Sequence, residues 1–297
     1  MSKIKVAIVQ HTCSNDYEEN MKTGINGIEK AAAQGADLVL LPELSMSTYF
    51  CITEDPDNYD LAEPIPGKTT EQLQAVAKQN NIIIVATVFE KRAKGLYHNT
   101  AIVIDKDGSL AGIYRKMHIP DDPGFYEKYY FTPGEQGFIP IDTSIGRLGV
   151  LICWDQWYPE AARIMALSGA ELLLFPSAIG WEPAETEQEK IRQRNAWITI
   201  QKSHAIANNL PVIVSNRIGL EDLDGCDDNA TQFWGSSFIA GQQGETLAKA
   251  APEDDCVIIA EIDLDKTEQT RRIWPYFRDR RIEHYQGILQ RHIDDKK

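Results

Sequence analysis

Residues 149–163 read GVLICWDQWYPEAAR. Val150, Leu151 and Ile152 close an apolar run of strand character, and Pro159-Glu160 has the form of a helix start. Cys153 therefore falls where a strand gives way to a helix. Open α/β sheets usually present their chemistry there. A lone cysteine in that place also serves as core filler, so the rest of the chain has to decide.

Working outward, short β-branched runs alternate with helical patterns. Strands are expected at Ile4–Gln10, Asp37–Leu41, Ile82–Phe89, Thr100–Asp105, Leu110–Arg115, Leu148–Ile152, Glu171–Phe175, Pro211–Ser215, Phe233–Ala240 and Val257–Ile262. Helices are expected near 17–34, 69–80, 158–168, 186–208 and 264–273, with Asn15 or Asp16 capping the first. Several strands are apolar throughout, as in strands covered on both faces. Asp107-Gly108 between two apolar runs reads as a hairpin, so the sheet is mixed. AAAQGADLVLLPELS (31–45) echoes MALSGAELLLFPSAI (165–179). The echo suggests two halves built alike, their sheets packed face to face with helices outside. No long linker or low-complexity segment interrupts the chain, so 1–297 reads as one α/β domain.

The totals narrow the function. With 297 residues, 43% hydrophobic, the chain can bury a substantial core, and its net charge of −14 argues against a surface that tracks phosphates. No apolar run approaches the ~20 residues that span a bilayer. MSKIKVAIVQ enters a strand without a signal-peptide core. Cysteines at 13, 51, 153, 226 and 256 are odd in number and widely spaced, which speaks against a disulfide framework or a structural zinc site. A reduced, cytoplasmic protein is expected, where the Asn229-Ala230-Thr231 acceptor pattern carries no meaning.

Three strand ends converge on usable chemistry: the run at Leu38–Leu41 leads into Glu43, Leu110–Arg115 into Lys116, and Leu148–Ile152 into Cys153. A thiolate is a nucleophile whose pKa a nearby cation lowers. A carboxylate can take its proton and pass it to a leaving amine, and a lysine can hold the oxyanion. Each residue alone has a plain structural reading, solvated or packed.

LLPELS, GIYRKMHIP and LGVLICWDQWYPEAAR together resemble the three signature blocks of the nitrilase superfamily, the carbon–nitrogen hydrolases. The resemblance runs from about residue 4 to about residue 281. It implies a four-layer α-β-β-α sandwich of two mixed sheets and a catalytic Glu43, Lys116 and Cys153. GFYEKYYFTPGEQG resembles the segment carrying a second glutamate, here Glu127, which would orient Lys116 or share the proton work. The resemblance also implies a homodimer or higher homo-oligomer, with a C-terminal extension (about 265–297) used in subunit contacts. It implies no metal and no cofactor.

SMSTYF, IPDDPGFYEKYYFTPG and SAIGWEPAE most resemble the branch that hydrolyses N-carbamoylputrescine. In that branch the acid of the IG-x-EP loop faces the substrate's amine, which places Glu182 there. An ammonium at the end of an aliphatic chain calls for such a partner, although Glu182 also reads as the first charge of an acidic helix start. Tyr49, Trp154 and Trp181 are candidates for the walls of a slot, or for core packing. The backbone N–H of Trp154 would join Lys116 at the oxyanion. Carbamoylases of D-amino acids carry an arginine pair shortly after the cysteine. Here Gln156-Trp157 stand instead, which counts against an anionic substrate. The expected partner is a small cationic carbamoyl-amine, not nucleic acid or membrane. The alternatives are a β-ureidopropionase-like or ω-amidase-like activity, or an inactive scaffold of the same fold. His11, His98 and His118 lack metal-ligand spacing, with His118 expected near the site. The basic, aromatic stretch at 271–281 is expected to dock on the protein itself or on a neighbouring subunit.

Overall fold

The computed structural model describes residues 3–222 and 230–293; Cys226, Asn229 and the last four residues of the C-terminal extension lie outside them. In chain order the elements are β1 (Lys3–Gln10), α1 (Tyr17–Ala33), β2 (Leu38–Leu40), α2 (Lys68–Asn80), β3 (Ile83–Ala93), β4 (Leu96–Ile104), β5 (Leu110–Arg115) and the one-turn α3 (Glu127–Tyr130). Then follow β6 (Ile141–Thr143), β7 (Gly146–Val150), α4 (Pro159–Leu167), β8 (Leu172–Ser177), β9 (Gly180–Trp181) and α5 (Glu187–Asn208). The chain continues through β10 (Val212–Asn216), β11 (Ile218–Asp222), β12 (Ala230–Trp234), β13 (Phe238–Ala240), β14 (Thr246–Lys249), β15 (Cys256–Asp263) and α6 (Leu264–Ile273).

Two six-stranded mixed sheets form, in the orders β15-β1-β2-β3-β4-β5 and β14-β13-β10-β8-β7-β6, with a small sheet β11-β12-β9 beside them. The period of two along each strand makes the layers. In β1, Val6 and Ile8 pack with Leu148, Val150, Leu174 and Val214 of the second sheet, while Ala7 and Val9 pack under Met21 and Ile28 of α1. The second sheet buries Leu173 and Ile213 in the same cluster as Ala162 and Met165 of α4 and Trp197 of α5. The result is the expected helix–sheet–sheet–helix sandwich. Gly27 permits the close approach of α1, since a Cβ there would lie 2.6 Å from a Val9 methyl. Asp16 caps α1 through Glu18 and Glu19 N–H.

The repeated motif lands in equivalent places. β2 pairs in parallel with β1 and β3, and β8 in parallel with β7 and β10. The ends of the two copies meet, where the Glu43 N–H donates to the Ser177 carbonyl at 3.2 Å.

Some expectations need correction. Phe233–Ala240 is not one strand: Gly235 and Ser236 take φ of +48° and +59°, and this left-handed step sends β12 and β13 into different sheets. The strand before the cysteine ends at Val150, two residues early. β6, β9, β11 and β14 carry too short or too polar a pattern to be read from sequence. At the C-terminus, the Arg271 guanidinium donates to the Asn208 carbonyl at 3.3 Å and lies over the Phe277 ring, so part of the basic stretch docks on the protein's own body. Among the described residues no helix is long and apolar enough to cross a membrane.

Candidate active site

Glu43 follows β2 on a turn that Leu44 closes with φ +48°. Its carboxylate is fully buried, and every donor around it is fixed. Oε1 accepts from Asn99 Nδ2 at 2.7 Å and Lys116 Nζ at 2.8 Å, and Oε2 from the Ala178 N–H at 2.9 Å. Lys116 follows β5 directly. Its main chain is pinned on both sides, its N–H donating to the Asn99 carbonyl and its carbonyl accepting from Gly134 N–H, each at 2.9 Å. A side chain on Gly134 would come within 2.3 Å of the Arg115 carbonyl, so glycine is needed for this approach.

Glu127, at the start of α3, completes the cluster. Both its oxygens accept from Lys116 Nζ, at 2.9 and 2.7 Å, and Oε1 also accepts from the Tyr49 hydroxyl at 2.6 Å. One ammonium thus lies between two carboxylates, all without solvent exposure. The Glu127 and Glu43 charges hold the Lys116 ammonium well above the usual lysine range, against the penalty of burial. Burial pushes Glu127 up to about 7 against the pull of Lys116, and Glu43 adds to the rise.

That shift has a consequence for stability. A carboxyl raised from 4.5 to about 7 binds more protons folded than unfolded between those values. Its contribution is complete below that window and is lost as pH rises through it. Thermal melts should therefore show wild type losing ground against Glu127→Gln as pH goes from about 5 to about 8. A difference independent of pH would contradict the raised carboxyl.

Cys153 takes φ +43°, a left-handed conformation that turns the chain from β7 into a short 3-10 helix over Cys153–Trp157. The geometry is held by Asp155, which sequence reading missed. Its buried carboxylate accepts from the N–H of Ile152 (2.9 Å) and of His118 (3.0 Å), and from the Tyr114 hydroxyl (2.8 Å). His118 Nδ1 lies 2.7 Å from the same carboxylate and its ring stacks on Tyr158. The histidine thus touches the Cys153 turn through Asp155. Burial pushes the Cys153 thiol well above its ordinary value, with Glu43 reinforcing the rise and Lys116 opposing it. The expectation that a nearby cation lowers the thiol is therefore corrected: burial outweighs it. A protonated thiol needs a base, and Glu43 is the acidic group acting most strongly on it.

Cys153 opens into a cavity of about 420 Å³. Phe125, Trp154, Trp157, Ile179 and Trp234 supply apolar walls; Asp122, Glu182 and Glu185 supply carboxylates, and no lysine or arginine among the described residues lines it. Of the expected wall residues, Trp154 and Glu182 are there, Glu182 at an exposed position. Tyr49 is not: it is wholly buried beneath the site, in contact with Glu127. Trp181 faces another cleft, with Lys190 and Arg194, and its indole donates to the Lys190 carbonyl at 3.0 Å. Gln156 is buried too, its amide oxygen taken by the Trp197 indole at 2.8 Å, so of the pair that replaces the arginines only Trp157 reaches the cavity. Glu185 went unnoticed in the sequence. Gln193 donates to its Oε1 at 2.8 Å, while its buried Oε2 has no hydrogen-bond partner among the described residues.

A buried thiol, a carboxylate that can serve as base, an ammonium and a largely apolar cavity can together run acyl transfer from an amide to water. The family model for carbon–nitrogen hydrolases matches residues 5–272. An N-carbamoylputrescine amidase of Solanum lycopersicum is 41% identical over 96% of this chain and 95% of its own length. A citrullinase of Francisella tularensis is 42% identical over 98% of this chain and the whole of its own. The crystal structure of a carbon–nitrogen hydrolase from Helicobacter pylori superposes with a TM-score of 0.95 at 51% identity, covering 98% of this chain and 100% of that one. Sequence, fold and chemistry agree: the chain belongs to the carbon–nitrogen hydrolase family of the nitrilase superfamily.

Proposed function

We propose that this hydrolase converts N-carbamoylputrescine to putrescine, carbon dioxide and ammonia, with Cys153 as nucleophile. The observation that carries this reading is the cavity wall: among the described residues, Asp122, Glu182 and Glu185 share an otherwise largely apolar lining with Cys153, and no basic side chain belongs to it, Lys116 being bound to Glu43 and Glu127 outside that lining. That lining suits an aliphatic chain with an ammonium at its far end, and desolvates and repels a carboxylate.

Glu43 takes the thiol proton as sulfur attacks the ureido carbon. Lys116 and the Trp154 N–H hold the oxyanion of the tetrahedral adduct. Collapse breaks the bond to the terminal nitrogen, Glu43 returns the proton, and ammonia leaves an S-carbamoyl enzyme. Water, giving its proton to Glu43, then attacks the same carbon and releases the thiol. The freed carbamate loses carbon dioxide to give the diamine. Glu127 keeps Lys116 aimed throughout.

Ammonia release tests this with N-carbamoylputrescine beside its uncharged analogue butylurea. Glu185→Gln is expected to raise KM for the cationic substrate about tenfold or more, the worth of a desolvated charge pair, and Glu182→Gln, at an exposed position, only about threefold. Butylurea should change little. Equal losses on both substrates would remove the ammonium argument, and preference for N-carbamoyl-β-alanine would overturn the substrate class.

A second reading has one observation in its favour. The indole N–H groups of Trp157 and Trp234, both cavity residues, are buried without partners among the described residues. Two such donors beside Glu185 would suit the zwitterionic head of citrulline, the substrate named for the Francisella relative. Citrulline in the same assay separates the two readings.

The assembly reading also stands as a proposal. Ile273, Ile282 and Leu289 are 75%, 66% and 86% exposed in the C-terminal extension, an apolar cost that a second copy of the chain would remove. We place the enzyme in the cytoplasm, where a catalytic thiol stays reduced.

A further inference from the structure

We infer that Arg217 is a positioning residue that sets the two reacting carboxylates against each other, from outside the cavity and without touching substrate. The inference rests on the reading above that Glu43 and Glu127 serve the reaction.

Arg217 follows β10 and has no solvent exposure. A buried guanidinium is costly unless it is hydrogen-bonded; four bonds from its two terminal nitrogens offset that cost, while Nε has no partner among the described residues. Here Nη2 donates to the main-chain carbonyls of Glu43 at 2.7 Å and Leu44 at 2.8 Å. Nη1 donates to the Ser47 carbonyl at 3.1 Å and to Glu221 Oε1 at 2.8 Å. Carbonyls of three residues from one turn thus point at a single cation. They would repel one another without it, in a turn that already bends through a left-handed leucine. The fork of Arg217 holds the main chain of Glu43 while the side chain of Glu43 works.

The second arm runs to the other carboxylate. Glu221 Oε2 accepts from the Tyr49 N–H, and the Tyr49 hydroxyl donates to Glu127. The Arg217 guanidinium also lies over the Tyr49 ring, 5.9 Å from its centroid. One group therefore fixes Glu43 directly and Glu127 through Glu221 and Tyr49. Arg217 is bonded to the Glu43 turn and to Glu221, and not to the cavity carboxylates Asp122, Glu182 or Glu185, so its influence belongs in the chemical step rather than in binding. A lysine keeps the charge but offers a single nitrogen, which cannot span the turn and the carboxylate as the planar fork does.

The experiment measures kcat and KM for Arg217→Lys, Glu221→Gln, Tyr49→Phe and the double variant Glu221→Gln/Tyr49→Phe, with circular dichroism and melting to establish folding. Folded Arg217→Lys is expected to lose about 100-fold in kcat, the size of an ångström-scale misplacement, with KM within about threefold. Glu221→Gln must set an amide N–H against one of its two donors. It should lose about tenfold in kcat. Tyr49→Phe should then cost less in that background than alone, because both act on Glu127 by one path. A merely structural pair, joined by the Tyr49 N–H bond, would couple in melting temperature and KM as well as in kcat, whereas the positioning path couples them in kcat alone. Folded Arg217→Lys with kcat within about threefold of wild type, or a loss carried by KM, overturns the proposal. So does a multiplicative double variant, which decides the matter alone if Arg217→Lys does not fold. Cys153→Ala runs beside them: activity surviving there defeats the reacting set itself, a failure distinct from that of Arg217.

Discussion

Cys153→Ala is expected to lower kcat by about 10⁴-fold or more while leaving the protein folded. The loss follows from the absence of any second thiol in the cavity lining among the described residues. Folding should survive because the sulfur contributes little: its hydrogen bond to the Ala178 carbonyl is long, at 3.7 Å, and the turn is held by Asp155 instead. Cys153→Ser should be nearly as inactive. Burial already keeps a thiol protonated at this position, and an alcohol is far harder to ionise. Ammonia release and a thermal melt on both variants check this. Turnover within about tenfold of wild type in the alanine variant would remove Cys153 as nucleophile.

Lys116→Met is expected to damage activity and stability together. Its ammonium is the shared partner of Glu43 and Glu127, and all three are fully buried. Without it two carboxylates face each other, and one must take up a proton or leave. Breaking a buried pair from one side costs roughly 3–5 kcal/mol, and losing the oxyanion donor about 10²- to 10³-fold in kcat. The lysine pKa is raised on folding. Its contribution is therefore present below the unfolded value, is lost only as pH rises through the raised folded value, and stays intact at neutral pH. Adding Glu127→Gln to Lys116→Met should recover part of the melting temperature and none of the activity. A Lys116→Met protein with wild-type melting and kcat within about tenfold would contradict both roles.

The sequence made the residues proposed to react legible because each stands at or just past the end of an apolar run, where periodicity gives way to a lone polar side chain. The family blocks then put Glu43, Lys116 and Cys153 in one site. The layers were legible for the same reason, since residues apolar on both faces need cover on both. Asp155, Arg217 and Glu221 were not visible. Arg217 and Glu43 are 174 positions apart, and no local pattern marks a contact of that reach. Tyr49 was misplaced because an aromatic near a site fits a wall as readily as a support beneath the floor, and only its bond to Glu127 separates the two. The break at Gly235-Ser236 was hidden because the residues on both sides read as strand.

The site is stitched from both sheets. Glu43 and Lys116 hang from the first; Cys153, Ala178 and Arg217 come from the second. Ser215 Oγ donates across the seam to the Leu41 carbonyl at 2.8 Å. Neither half of the chain holds a working set of groups, so chemical competence belongs to the docked pair alone. During synthesis the thiol emerges long before Arg217 and the strands that follow it. An incomplete chain is thus an unarmed hydrolase, whose Cys153 thiol lacks the organised carboxylate proposed as its base until the last layers close over it.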